Sequence, residues 1–214
     1  MKESYFETRF RYDPKKEVMW KVLCKHLQQF IGNESRVIDV GAGYCQFINN
    51  ISAGEKYALD TNQEVLNNYS NKKIHLIVAS ATDTTLEKDF FDVVFASNLL
   101  EHLSRDEILL SLRESNRILK KNGFFIILSP NFKYSYKAYF DDYTHKSIIT
   151  DKSLSDMLNA SGFSIERIFP KFLPFSADSK LPKSGLLIRL YLKSPWKPFA
   201  GQMLVIARKT DDRG

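Results

Sequence analysis

Apolar residues in this chain follow two patterns, short continuous runs and longer segments with a helical period. Short runs rich in β-branched and aliphatic residues are typical of strands that are buried on both faces. Seven such runs predict strands, over residues 37–40, 56–60, 74–79, 91–97, 123–128, 163–169 and 202–209.

Segments with a helical period lie between these runs. We expect the first helix to begin at Pro14, because proline is well tolerated in the first turn of a helix. Its apolar positions share one face: Val18, Val22, Leu23, Leu27, Phe30 and Ile31. Further helices are predicted over residues 47–51, 63–69, 104–119 and 150–160. Alternating strands and helices predict an α/β fold with a mostly parallel sheet and helices on both faces.

The most informative stretch runs from Arg36 to Cys45, where a predicted buried strand enters a glycine turn. Gly41 and Gly43 permit positive φ, and without a Cβ they let a ligand lie against the backbone. Asp60 follows at the end of the next predicted strand. An acid at this place can accept hydrogen bonds from the ribose hydroxyls of a nucleoside. The turn and the acid together predict a site for an adenosine-containing ligand.

Asp39-x-Gly41-x-Gly43 with Asp60 resembles the cofactor motif of the class I S-adenosylmethionine-dependent methyltransferases. The resemblance extends over 36–163: the segment 91–103 is similar to the family's fourth strand and following loop, and 118–123 to the segment that enters its fifth strand. It implies a Rossmann-like sheet of seven strands with an antiparallel closing strand. It also implies methyl transfer from S-adenosylmethionine.

The resemblance implies a set of cofactor-binding residues around the ends of the first four strands. These are Asp39, Gly41, Ala42, Gly43, Asp60, Thr61, Ser80, Ala81, Ser97 and Asn98. The chain departs from the family pattern at Cys45, where a third glycine is usual, and at Ser80, where an acid is usual. Asp83 could replace that acid or could cap a turn.

Two segments could complete the site. The N-terminal segment is rich in aromatic residues and arginine, and the family often folds such a segment over the cofactor. Arg9 or Tyr5 would then contact cofactor or substrate, unless the aromatic residues pack on the edge of the core. The second segment is the long aromatic loop Phe132–Ile149, which is expected to be functional because of its length.

The candidate catalytic and substrate-binding residues lie after the fourth and fifth strands. His145 and His102 are candidate general bases for a hydroxyl acceptor, although a loop histidine can simply bond a backbone carbonyl. Weaker candidates at the same strand ends are Glu101 and Asn131, either of which could cap a turn. Tyr143, in the aromatic loop, and Asn131 are assigned to substrate binding.

Other chemistry is disfavoured by what the sequence lacks. Its two cysteines and four histidines have no metal-ligand spacing, so we expect no metal. Asn98-Leu99-Leu100 stands where nucleic-acid amino-methyltransferases carry Pro-Pro-aromatic, and neither cysteine stands where a carbon-5 methyltransferase needs one. We therefore expect a small-molecule, sugar or lipid-linked acceptor, methylated at oxygen, and no nucleic acid.

Two alternatives differ in class from this interpretation. An NAD-dependent oxidoreductase needs a third glycine for close packing of helix on strand, and Gln46 stands there. A non-catalytic regulator or scaffold that binds S-adenosylmethionine would keep Asp39, Gly41, Gly43 and Asp60 unchanged. Turnover to S-adenosylhomocysteine separates the enzyme from the regulator.

Charge is distributed unevenly along the 214 residues. The net charge is +6, and the segment from Lys171 to Lys209 holds eight basic residues but one acid, Asp178. Aromatic and aliphatic residues alternate with these lysines and arginines, which suits an anionic amphiphile or the surface of an acidic membrane. Alternatively, the apolar residues cover the sheet edge or a subunit contact.

The length and the composition, 43% hydrophobic and 26% charged, fit one domain. We divide it into an N-terminal lid and helix (1–31), a cofactor-binding core (36–169), a basic aromatic insertion (170–201) and a closing strand (202–209). The polar N-terminus is unlike a signal peptide. We therefore expect a cytoplasmic protein, which the basic aromatic insertion could bring to the membrane surface.

Overall fold

The computed structural model describes residues 12–14, 16–175 and 184–210. A seven-stranded sheet forms its centre, in the order β3-β2-β1-β4-β5-β7-β6. The strands are β1 (Arg36–Val40), β2 (Glu55–Asp60), β3 (His75–Val78), β4 (Phe91–Ser97), β5 (Leu119–Pro130), β6 (Phe163–Pro174) and β7 (Ala200–Lys209). β7 runs antiparallel to both of its neighbours, and all the other pairs are parallel. The predicted Rossmann-like sheet with an antiparallel closing strand is confirmed.

Helices cover both faces of the sheet. They are α1 (Lys16–Leu27), α2 (Gln46–Asn50), α3 (Gln63–Tyr69), α4 (Arg105–Ile118), α5 (Phe132–Ser135), α6 (Asp151–Ala160) and α7 (Gly185–Lys193). Short 3-10 turns lie at Gln28–Phe30, Leu100–His102 and Tyr139–Asp141. No helix in the described ranges is long and apolar enough to cross a membrane.

Two apolar clusters lie on opposite faces of the sheet, because side chains alternate along each strand. In β5, Ile126 and Leu128 belong to the cluster under α1, α2 and α7, whereas Phe125 and Ile127 belong to the cluster under α4 and α6. The sheet is thus buried on both faces, as the continuous apolar runs predict.

The strand order creates a crevice at the carboxyl ends of β1 and β4. From β1 the chain proceeds outward to β2 and β3, and then returns to the other side of β1 to form β4. Ligands of open α/β sheets bind at such a reversal of strand order. The segments that follow β1 and β4 are those to which the sequence assigns cofactor-binding residues.

Several predicted boundaries need correction. β5 begins at Leu119 instead of residue 123, since Leu119 pairs with Phe91 before the register shifts. The segment predicted as an insertion, 170–201, contains the end of β6, the helix α7 and the start of β7. The aromatic loop contains α5 and a 3-10 turn. Val18, predicted to be buried, is 42% exposed because α1 turns its neighbours Trp20, Val22 and Leu23 inward.

Candidate active site

The glycine turn joins β1 to α2 and closes over the end of β2. The backbone N–H groups of Gly41 and Ala42 both donate to the Leu59 carbonyl, at 2.8 and 3.0 Å. Gly41 has φ of 73°, and a Cβ there would meet the Leu99 side chain at 3.0 Å. Gly43 also has positive φ, 45°. The turn therefore needs glycine at Gly41 for both conformation and space.

Cys45 occupies the position where the family usually carries a third glycine. Its φ is 56°, so the chain keeps the left-handed conformation without glycine. Such a conformation costs an ordinary residue about 1–2 kcal/mol. Cys45 is fully buried, and burial raises the pKa of its thiol to about 12. It therefore stays protonated and is unsuited to act as a nucleophile.

Asp60, at the end of β2, stabilises the glycine turn through hydrogen bonds. One carboxylate oxygen accepts from the Gly43 N–H and the other from the Asn62 N–H, both at 2.9 Å. A carboxylate has about four lone-pair positions, so two remain for other donors. Asp60 can thus hold the turn and accept hydrogen bonds from ribose hydroxyls together.

Asp39 lies at the carboxyl end of β1 with 3% of its surface exposed. Burial, and secondly the charge of Asp60, raise the pKa of Asp39 to about 8. The carboxyl group is therefore mostly protonated at neutral pH, and a cationic ligand group beside it would favour its ionisation.

A cavity of about 450 Å³ opens in front of the turn. Asp39, Gly41 and Ala42 line it from the turn, and Ser97 and Asn98 line it from the end of β4. Its remaining walls come from α1, from the aromatic loop and from the ends of β5 and β6. A volume of several hundred cubic ångströms is typical of small-molecule sites.

The side chain of Gln46 also lines this cavity. Within the described part of the chain, its Nε2 is buried and has no hydrogen-bond partner. Buried donors are normally satisfied, so this unpaired donor beside the cavity is a candidate contact for a bound ligand. S-adenosylmethionine offers a carboxylate for such a donor, a cationic group for Asp39 and ribose hydroxyls for Asp60. The residues present therefore fit this cofactor.

Three further cavity residues form what we call the histidine cluster, which consists of Glu101, His102 and His145. One ligand atom from each lies within 4.8 Å of the others. Glu101 and His102 belong to the 3-10 turn after β4, and His145 comes from the aromatic loop. The backbone N–H of Lys146 donates to the Glu101 carbonyl at 2.8 Å, which fastens the loop to the turn.

Hydrogen bonds orient both imidazoles. Nδ1 of His145 lies 2.6 Å from the Tyr139 carbonyl, which can only accept, so Nδ1 carries the proton. Nδ1 of His102 lies 2.9 Å from the Thr144 hydroxyl, which itself donates to Asp142 at 2.6 Å. Because that hydroxyl has one hydrogen, His102 donates through Nδ1. In both rings the lone pair is therefore on Nε2.

Burial controls the charge of the cluster. It raises the pKa of Glu101 to about 8, although hydrogen bonding, including that from the Ser129 hydroxyl, opposes the shift. Burial, and secondly the neighbouring His145, lower the pKa of His102 to about 4. His102 is consequently neutral at physiological pH and can accept a proton or act as a ligand.

The remaining predicted site residues do not line the cavity or lie outside the described residues. Thr61 and Ser80 are exposed and do not line the cavity, and Ala81 is buried below the surface near them. Tyr143 is 64% exposed and also lies outside the lining. Arg9, like Tyr5, lies outside the described residues. Tyr12 is described, and its ring packs against Tyr44 and Tyr69 beside the glycine turn.

Asn131 requires a correction. Its side chain is fully buried, donates to Asp151 and to the Pro170 carbonyl, and accepts from the Lys133 N–H. Its amide nitrogen and oxygen are both bonded within the protein, so Asn131 holds the end of β5, and the structure gives no support for its predicted role in substrate binding.

Comparison with known proteins agrees with this geometry. A family model described as a methyltransferase domain matches residues 38–127, which include the glycine turn and two members of the histidine cluster, Glu101 and His102. No curated relative matches the chain.

Solved structures share the fold over nearly the whole chain. One is a SAM-dependent methyltransferase from Archaeoglobus fulgidus, 22% identical, covering 97% of this chain and 99% of that chain with a TM-score of 0.71. Another is an S-adenosylmethionine-dependent methyltransferase from Mesorhizobium loti, 18% identical, covering 87% and 96% with a TM-score of 0.64. The matched methyltransferase domain, the shared fold and a cavity suited to the cofactor together support a class I S-adenosylmethionine-dependent methyltransferase, an enzyme with S-adenosylmethionine as its cofactor.

Proposed function

We propose that this enzyme transfers the methyl group to an oxygen atom of a small-molecule, sugar or lipid-linked acceptor. The observation that carries the proposal is the histidine cluster, which shares the cavity with the glycine turn. A sulfonium methyl group needs a nucleophile that is aligned behind it, and alignment supplies much of the rate. A hydroxyl must in addition lose its proton, which a neutral imidazole can assist.

His145 is the better placed of the two imidazoles for this role. Its Nδ1–H is held by the Tyr139 carbonyl, and the ring lines the cavity with Nε2 as its acceptor. We do not propose a nucleic-acid acceptor, because Asn98-Leu99-Leu100 follows β4 in place of a Pro-Pro-aromatic segment.

The test supplies methyl-labelled S-adenosylmethionine with hydroxyl acceptors and their amine analogues. Soluble sugars, sugar phosphates and lipid-linked sugars form the panel, and mass spectrometry with NMR locates the label. We expect label on oxygen, and a fall of about 10²–10⁴-fold in turnover for His145→Ala with unchanged cofactor affinity. Transfer to nitrogen alone would contradict the proposal.

We further propose that the enzyme contacts an anionic membrane surface through α7 and the residues after it. Ile188 and Leu192 face the core, which leaves large apolar side chains exposed on the outer side. These are Leu186, Leu187, Leu190, Trp196 and Phe199. Arg189 and Lys193 are exposed on the same helix. An apolar face with adjacent cations suits the interface of an acidic membrane.

The position of this surface supports a lipid-linked acceptor. Ala200, immediately after Phe199, pairs with Pro174, and Pro174 lines the cavity. An acceptor held in a membrane under α7 would therefore lie close to the cavity. Lys197, by contrast, donates to the Tyr191 and Leu192 carbonyls and serves the end of the helix.

Vesicle sedimentation tests this contact. We expect binding to phosphatidylglycerol vesicles and not to phosphatidylcholine vesicles, and weaker binding as salt screens the charges. Arg189→Glu with Lys193→Glu should abolish binding. The matched control, Lys72→Glu with Lys73→Glu, changes the charge equally at exposed positions before β3 and should have little effect. No binding by the natural protein even at low salt would refute the contact.

A further inference from the structure

We propose that the histidine cluster, Glu101, His102 and His145, binds a divalent transition-metal ion in the cavity. Ligand atoms of all three residues lie within 4.8 Å of one another. Ligands of one ion stand about 2.0–2.2 Å from it. Two ligands of one ion are therefore at most about 4.4 Å apart, so the three side chains would draw slightly closer together around a bound ion.

The backbone around the cluster is already fixed. Both the Lys146 and Ser147 N–H groups donate to the Glu101 carbonyl, and the Ser147 hydroxyl donates to the Leu103 carbonyl at 2.7 Å. The loop that carries His145 is thus held against the turn that carries the other two residues. Metal sites gain affinity from such prior organisation of their ligands.

The outer hydrogen bonds are those of metal-binding histidines. A ligating imidazole generally donates its second N–H to a carbonyl or, directly or indirectly, to a carboxylate. His145 donates to the Tyr139 carbonyl, and His102 donates to the Thr144 hydroxyl, which donates to Asp142. Both tautomers present Nε2 as the ligand atom.

In the described ranges, no lysine, arginine or histidine forms a salt bridge with Glu101, the acid of the cluster. Glu101 is 1% exposed, and in the described ranges its side chain makes one hydrogen bond to another side chain, from the Ser129 hydroxyl at 3.3 Å. In its ionised form a carboxylate at this buried position is costly unless it is paired or coordinates a metal. A bound dication would compensate the negative charge.

The donor set selects the kind of ion. Two imidazoles with one carboxylate favour Mn²⁺, Fe²⁺, Co²⁺ or Zn²⁺ over Mg²⁺ and Ca²⁺, which prefer oxygen ligands. Three protein ligands leave coordination positions open toward the cavity. With an ion bound, Nε2 of His145 would be occupied as a ligand, and the ion would replace the free imidazole by lowering the pKa of an acceptor hydroxyl in such a position. This role rests on the proposed oxygen acceptor, whereas binding of the ion does not.

Binding can be measured on the full chain without any acceptor. Protein freed of metal with a chelator is titrated with Co²⁺, followed by its visible absorption, and with Mn²⁺ and Zn²⁺ by calorimetry. We expect one equivalent to bind, with affinity reduced at least 10-fold in His145→Ala. Thr144→Val, which removes only the outer hydrogen bond to His102, should lower affinity about 10–100-fold. His75→Ala removes an exposed histidine on β3 and should change nothing.

The metal titrations can overturn the proposal in two ways. Binding that is absent, or that is equally strong in His145→Ala and the natural protein, overturns the proposal. If His145→Ala fails to fold, Thr144→Val decides, since its circular dichroism spectrum should be that of the natural protein. Specific metal binding with methyl transfer only to nitrogen would leave the site intact and refute the oxygen acceptor alone.

Discussion

Replacing Asp60 is the most direct test of how the cofactor is held. Its two carboxylate oxygens already accept the Gly43 and Asn62 N–H groups at 2.9 Å, and its remaining lone pairs are available for the ribose. Asp60→Ala removes all of these acceptors, whereas Asp60→Asn keeps one oxygen. The alanine variant should therefore be affected more strongly than the asparagine variant.

The size of the effect follows from hydrogen bonding to a charged group. Losing such a bond costs about 1.5–3 kcal/mol, which corresponds to a roughly 10- to 150-fold weaker affinity. Loosening of the glycine turn adds to this loss, so Asp60→Ala should lie near the upper end. Calorimetry with S-adenosylhomocysteine measures the affinity directly.

A matched control separates this contact from a general change of charge. Glu64 is an exposed acid in the first turn of α3, four residues after Asp60, and Glu64→Ala changes the net charge equally. We expect its affinity to stay within about twofold of the natural protein. Asp60→Ala binding as tightly as Glu64→Ala would show that Asp60 does not contact the cofactor.

Two further predictions follow from Asp39 and from Phe199. Since the pKa of Asp39 is raised to about 8 in the folded protein, the unfolded chain loses this proton first, and the group lowers stability progressively between about pH 4 and pH 8. Asp39→Asn should therefore raise the melting temperature at pH 8 and not at pH 4, and an equal gain at both would refute the assignment. Phe199 has φ of 60° and a ring that is 74% exposed, so Phe199→Gly should increase the free energy of unfolding by about 1 kcal/mol while weakening vesicle binding. Phe199→Ala keeps the strain and should weaken vesicle binding alone; unchanged vesicle binding in both variants would argue against the membrane surface.

Elements with strong local signals could be predicted closely from the sequence. α3 and β4 have the predicted bounds, 63–69 and 91–97. At the predicted start of the helix over 104–119, Ser104 and Glu107 form a capping box with both of its hydrogen bonds. Gly162 follows α6 with φ of 83°, as expected for the residue after a helix. In each case the residues that determine the structure lie within a few positions of it.

Features that depend on distant contacts could not be predicted in this way. The early start of β5 depends on the pairing of Leu119 with Phe91, and strand propensity does not report such pairing. The histidine cluster joins residues 101, 102 and 145, so spacing rules for metal ligands do not find it. The unpaired donor of Gln46 becomes evident only when the surrounding side chains are placed.

The reversed direction of β7 has a consequence for how such an enzyme could change its substrate. β6 ends and β7 begins at the edge of the sheet that carries the glycine turn, so the connection 175–199 leaves and re-enters the sheet beside the cavity. Lengthening a connection costs little in closure entropy. New acceptor-recognition sequences could therefore be grafted between Pro174 and Ala200 while the cofactor turn and Asp60 stay untouched, which makes this hairpin a natural place for engineering specificity.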